Sequence, residues 1–195
     1  MTLRKIATIG HPILRQRAHP WSRDELLSAP AQALLDDLVA TMRDANGAGL
    51  AAPQVFELVR VCVVEVKQNP RYPFMPEIPL TILVNPVVTP QTEATFDSYE
   101  GCLSVPNLRG VVPRRTEVRV EAWDRHGHAV DFVARGWPAV VYQHETDHLD
   151  GILFVDKVRD PTTFTTVADY ERYHQAAFLQ RARTFVESVE SGEIR

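Results

Sequence analysis

Residues 143–148 read QHETDH and place His144 and His148 four positions apart, with Glu145 directly after the first. Histidines at i and i+4 lie one turn apart on the same face of an α-helix, so their imidazoles can meet a single ion. Glu145 falls about 100° further round such a helix, where its carboxylate reaches a water at that ion instead of the ion itself. That is the position of a general base. With 7 histidines in 195 residues, chance supplies H-E-x-x-H only about 0.02 times in a chain of this composition. The spacing points to a divalent metal ion and a hydrolytic reaction. The competing reading is a pair of core histidines satisfied by hydrogen bonds.

Two imidazoles leave a catalytic site one protein ligand short of the usual three. The sixth residue after His148 is Phe154, so the three-histidine metzincin pattern fails. Two other ligands can be argued. Glu171 lies downstream, as in thermolysin-like sites, and Cys102 lies upstream in EGCLS, between a glycine and a polar turn instead of in an apolar strand. The only other cysteine, Cys62, falls within VRVCVVEV and reads as a small core residue.

These residues need elements to position them. Gly136-Trp137-Pro138 opens a helix and Gly151 closes it, with Val140, His144 and His148 on its apolar face. Upstream, Ser28 and Pro30 lead into AQALLDDLVATMRDANG, a helix with Leu34, Leu38 and Met42 on one face and Gly47 as its stop. It delivers the chain into GAGLAAPQ (47–54), whose small side chains let a backbone approach something closely. VRVCVVEV (59–66) and TILVNPVV (81–88) read as strands, and EVRVEAW (117–123) forms a hairpin through DRHG with HAVDFVA. In the stretch 67–80, prolines 70, 73, 76 and 79 recur at every third position; a stiff surface loop is favoured over a docking segment. The C-terminal YERYHQAAFLQRARTFVESVE reads as a helix packing through Phe178, Ala182, Phe185, Val186 and Val189.

No repeat or linker divides the chain, so residues 1–195 read as a single catalytic domain with a core over about 4–158 and a helical extension over about 160–195. A net charge of -4 and scattered Lys and Arg argue against nucleic-acid binding, and no apolar run suits a membrane span. The N-terminus lacks the pattern of a secretion signal, which leads to the expectation of a cytoplasmic protein with reduced thiols.

GAGLAAPQ, EGCLS and QHETDH, in this order, resemble the three signature motifs of the peptide deformylases, and the resemblance covers roughly residues 4–158. SVPNLRG, GWPAVV and RDPTTFTTV are similar to the branch that includes the mitochondrial enzymes, and without a targeting segment a bacterial member is expected. The resemblance implies a hydrolase that removes the formyl group from N-terminal formylmethionine of nascent proteins and releases formate. It implies Cys102, His144 and His148 as ligands of one divalent ion, with Fe(II) expected and Zn(II), Ni(II) or Co(II) able to substitute. It further implies Gln54 and the Leu103 N–H as donors to the oxyanion, with Glu145 moving the proton. Glu100 and Arg114 match the family pattern and are expected to pair beside EGCLS; Asp147 is a candidate to orient the metal helix.

Substrate would lie along Gly47, Ala48, Gly49 and Leu50 as an added strand, with Val140, His144 and Leu103 walling the methionine pocket and Ala48 at its rim. The expected fold is α+β, with small antiparallel sheets around a central metal-binding helix and helices at both ends. Expected partners are formyl-Met nascent peptides and, transiently, the ribosome, with no DNA and no membrane. An endopeptidase using Glu171 and a non-catalytic metal-binding protein are the alternatives.

Overall fold

A computed structural model of the chain describes residues 2–67 and 75–192. Two N-terminal helices open it. In α1 (Arg23–Leu27), Ser22 and Glu25 form a reciprocal capping box. In α2 (Ala29–Asp44), the Ser28 side chain accepts from the Ala31 N–H and Pro30 occupies the first turn, as the sequence predicts. One face of α2 buries Leu34, Leu35, Leu38 and Met42.

That face packs on a five-stranded antiparallel sheet of order β1-β2-β3-β6-β7: β1 (Gly49–Ala51), β2 (Val61–Val66), β3 (Ile78–Pro90), β6 (Glu117–Trp123) and β7 (Ala129–Arg135). Every residue of β2 is buried, because the strand is covered on both faces. Val61 and Val63 join Leu35, Leu38 and Leu50 on the α2 side, while Cys62 and Val64 meet Ala139, Tyr142 and Leu149 of the opposite helix. Cys62 is therefore a core residue, as expected. At one margin, β1 pairs with β2 alone, through Gly49 with Val64, Leu50 with Val63 and Ala51 with Cys62.

The opposite helix, α3 (Trp137–Leu149), carries QHETDH. Pro138 sits in its first turn, and Gly151, at φ 74°, follows its C-cap. Past it, the short β8 (Thr165–Thr166) and α4 (Val167–Asp169) lead through a π-turn over Tyr170–His174 into α5 (Gln175–Glu190). This last helix buries Phe178, Ala182 and Phe185 against Trp137 and Val140 of α3, with Phe96 stacked on Phe185 at 4.1 Å.

EGCLS, where Cys102 is expected between a glycine and a polar turn, lies at the end of a strand that the sequence does not announce. Cys102 is the last residue of β4 (Thr95–Cys102), which forms a hairpin with β5 (Val105–Arg115) and, with β8, a second antiparallel sheet. Only Leu103 and Ser104 form the turn. TFDSYEGC is too polar to show a strand pattern by itself, and Pro106, Gly110 and Pro113 punctuate its partner. Of the proline-rich stretch 67–80, residues 68–74 lie outside those described, and Ile78, Pro79 and Leu80 belong to β3 and not to the expected surface loop. Among the described residues, no helix is long and apolar enough to cross a membrane.

Candidate active site

The α3 helix and the end of the β4–β5 hairpin meet to bring Cys102, His144 and His148 together. One donor atom from each lies within 4.8 Å of the others. Cys102 Sγ stands 3.2 Å from His148 Nε2, and the two imidazole centroids are 5.1 Å apart at 79°. The pairing register of β4 shifts between Glu100 and Cys102, and such a bulge re-aims the residue that follows it. One thiol and two ring nitrogens converging this closely suit a tetrahedral divalent ion and leave its fourth position for water. The donor set therefore fits the implied metal. Glu171, the alternative third ligand, is exposed on the π-turn and takes no part in the cluster.

The cluster is held from behind by charge. Glu100 Oε2 lies 2.8 Å from His144 Nδ1, which leaves Nε2 of that ring for the metal. Arg114 donates to both Glu100 oxygens, at 2.6 and 2.9 Å, and to Asp147 at 2.6 Å. The Glu100–Arg114 pair is the one the sequence suggested; Asp147, a candidate to orient the helix, accepts from Arg114 and pairs with Lys157. Burial alone would raise the Glu100 carboxyl, but the Arg114 charge and its hydrogen bonds outweigh it and hold Glu100 at about 2. Burial likewise works against a charged His144, while Cys102 and Glu100 beside it raise its pKa well above the usual histidine value. His148 shifts the other way, well below, through burial and the nearby His144 and Arg114 charges. A neutral ring is the form that ligates.

Glu145 is 4 % exposed, and its Oε2 is buried without a hydrogen-bond partner. Burial pushes its carboxyl up to about 7. The glycines of GAGLAAPQ explain how this side chain fits. A Cβ on Gly49 would come within 2.7 Å of Glu145 Cγ, and one on Gly47 within 2.9 Å of Leu103 Cδ1. The close approach implied by the small residues is therefore to the Glu145 side chain. Gln54 is fixed at both ends of its amide. The Ala51 N–H donates to Oε1 at 2.8 Å, so Nε2 faces the site, 3.1 Å from Ser104 Oγ and 3.5 Å from Cys102 Sγ.

A cavity of about 370 Å³ opens from this cluster. Gly47, Ala48, Gly49, Gln54, Leu103, Val140, His144 and Glu145 all line it, each of them anticipated from the sequence. Leu50 does not: its side chain is fully buried in the α2 cluster, so only its main chain faces the β1 edge. Other lining residues carry no sequence sign of a place in this cavity, although Arg109 and Val167 fall within SVPNLRG and RDPTTFTTV and Phe178 is a predicted packing residue. Arg109 and Tyr99 come from the unrecognised hairpin, and Val167, Tyr170 and Phe178 from the C-terminal stretch. Ser104 was quoted within a motif but given no role; its full burial and bond to Gln54 show that it positions the amide.

A metal-ligating Cys-His-His cluster, a non-ligating glutamate beside it and an aligned amide define a metallohydrolase of the HExxH class. The sequence model of the polypeptide deformylase family matches residues 3–164. The chain belongs to the peptide deformylase family and is an enzyme that removes the N-formyl group from nascent peptides. It is 46% identical over 162 residues to peptide deformylase 2 of Ralstonia nicotianae, covering 83% of this chain and 90% of that protein. It is 42% identical over 171 residues to peptide deformylase 2 of a Nostoc species, covering 85% and 92%. Among solved structures, the Met-Ala-Ser-bound class I type b enzyme of Acinetobacter baumannii superposes with a TM-score of 0.78 at 42% identity, over 80% of this chain and 99% of that one.

Proposed function

We propose that Cys102, His144 and His148 hold one divalent ion, Fe(II) in the resident enzyme, and that Glu145, Gln54 and Leu103 carry out formyl removal around it. A thiolate with two imidazoles suits iron and zinc alike, so Zn(II), Ni(II) or Co(II) can replace the iron. When bound, the ion supplies Lewis acidity and draws the pKa of a water at the site toward neutrality. The observation that carries the reading is the buried, unpartnered Glu145 Oε2 beside three converging ligands. Metal binding alone needs no such base.

Glu145 takes the proton from the attacking water and returns it to the departing amine nitrogen. Gln54 Nε2–H and the Leu103 N–H donate to the formyl oxygen as it gains charge, and the anchored Gln54 oxygen means that this donor needs no reorganisation. The substrate adds as a strand to the free margin of β1, where Gly47, Ala48, Gly49 and Leu50 offer main-chain groups. Its methionine enters the cavity between Val140, His144 and Leu103, with Ala48 at the rim. That the similar Acinetobacter enzyme has been solved with Met-Ala-Ser bound supports a peptide ligand. The catalytic domain comprises the whole chain, with the segment after about residue 160 as its helical extension. Because the substrate is a nascent chain, the enzyme works in the cytoplasm and meets the ribosome transiently.

The test is formate release from formyl-Met-Ala-Ser by anaerobically purified protein. The wild type is expected to release formate stoichiometrically with the free amine, and Cys102→Ala to release none above background. Cleavage of internal peptide bonds without formate would reject the reading.

A further inference from the structure

Ser104 is fully buried in the turn after Cys102, and each of its polar groups is engaged on a different side. Its N–H donates to Cys102 Sγ at 3.4 Å, its hydroxyl accepts from Gln54 Nε2 at 3.1 Å, and its carbonyl accepts from the Ile9 N–H at 2.7 Å. Two residues before Ile9, the Ala7 N–H donates to the Gln54 carbonyl at 2.8 Å. The N-terminal segment 2–9 thus grips both stretches that carry the proposed donors to the formyl oxygen, Gln54 and Leu103. Alternate N–H groups of an extended chain point to one side about 7 Å apart, so two such bonds act as a fixed spacer.

Packing and charge anchor this spacer. Ile6 packs with the α2 cluster, while Ala7 is buried among Val105, Val112 and Leu153. On α2, buried Asp37 accepts from the Thr2 N–H and, at 2.9 Å, from Arg4 Nε, and buried Thr41 accepts from the Arg4 N–H at 2.9 Å. Arg4 also reaches Glu57 at 3.1 Å. At its other end the segment closes a β-turn, in which the His11 N–H donates to the Thr8 carbonyl at 3.0 Å and Gly10 takes φ 100°.

We infer that residues 2–9 form a positioning strap for the reaction: through the Ala7 and Ile9 N–H groups they hold Gln54 and the Leu103–Ser104 turn at the separation at which both donors meet one oxyanion. This rests on Gln54 and Leu103 being those donors. A donor that need not move when charge appears stabilises the transition state most, so a loosened turn lowers kcat and leaves ground-state binding almost unchanged. Among the described residues, none of the segment lines the cavity, so its effect passes through the two stretches it grips.

Ile9→Pro isolates one of the two bonds. Ile9 is the second residue of a turn whose third is a glycine at positive φ, the type II arrangement that accepts proline there, so the substitution removes the N–H and keeps the path of the backbone. Ile9→Ala, which retains the N–H, is the reference for loss of the side chain. With formyl-Met-Ala-Ser, Ile9→Pro is expected to show a kcat about tenfold below that of Ile9→Ala. KM, metal content and calorimetric binding of Met-Ala-Ser, which has no formyl oxygen, should agree within about twofold. Combined with Gln54→Ala, the Ile9→Pro factor should shrink, because one of the two donors it aligns is already gone. A packing defect behaves otherwise: it lowers kcat by the same factor in both backgrounds or raises KM. Either result would overturn the assignment, as would an unchanged kcat. If Ile9→Pro does not fold, Arg4→Met loosens the α2 anchor and is expected to give the same pattern, with the same results counting against it. Hydrogen exchange, read without turnover, separates this inference from the catalytic reading. Amides of residues 102–105 should exchange faster in Ile9→Pro than in Ile9→Ala, and exchange that is no faster overturns the strap. Faster exchange with Gln54→Ala at full rate counts against the oxyanion reading and not against the strap.

Discussion

Glu145 is surrounded by conditions that oppose the charge it needs: full burial raises its carboxyl to about 7. A divalent cation held by Cys102, His144 and His148 would reverse this, because a nearby positive charge favours the carboxylate. The acid limb of kcat/KM in the metal-loaded enzyme is therefore expected below about 7; a limb at or above that value would mean the cation does not act on Glu145. Glu145→Ala should lower formate release by about 10²–10⁴-fold with metal content unchanged, as read by elemental analysis. Gln54→Ala should cost about 10²-fold in kcat with little change in KM, since its donor acts on charge that develops only during reaction. Glu100 has the opposite linkage to Glu145. Its folded pKa of about 2 lies below the ordinary 4.5, so it contributes stability above about 4.5 that is lost as pH falls toward 2. In Arg114→Met that contribution is absent. The variant should be about 3–5 kcal/mol less stable at neutral pH and should lose less on acidification, both measured by denaturant melts.

At the level of elements, the site depends on three pieces meeting: the α3 face, the bulged end of β4 and the glycine-rich margin of β1. Gly49→Ala tests the last of these. Its Cβ would displace the Glu145 side chain, and a base moved by about 1 Å is expected to cost about 10²-fold in kcat while the thermal melting curve shifts little. An unchanged rate would show that Glu145 has room to move. The legibility of these pieces followed their periodicity. QHETDH and the helix bearing it could be read because a 3.6-residue repeat aligns His144 with His148 and Val140, and β2 because five of its six residues, all but Glu65, are apolar. The β4–β5 hairpin could not, since the buried positions of β4, Ser98 and Glu100, are polar and mask the alternation a strand would show. Cys102 is thus legible through its motif and not through its strand, and Arg109 only as part of SVPNLRG, with no role attached.

For the whole molecule, the sheet, the helix and the hairpin are separate layers, and the cluster of Cys102, His144 and His148 ties two of them across a sequence gap that no local rule spans. The C-terminal segment was expected only to pack outside. It does pack, through Phe178, Ala182 and Phe185, but it also lends Val167 and Tyr170 to the cavity wall. Burial of separate apolar faces is written in each element; which faces end up lining one cavity is decided only when they assemble. Because the ligands come from different layers, the metal should also stabilise the fold: a chelator is expected to lower the melting temperature and abolish formate release, and added Fe(II) or Ni(II) to restore both. The most direct check of the central claim is X-ray absorption at the edge of the bound metal. One sulfur scatterer at about 2.3 Å with nitrogen neighbours, the sulfur vanishing in Cys102→Ser, is the expected result. A spectrum with no sulfur, or with sulfur that survives the substitution, would contradict the site as described.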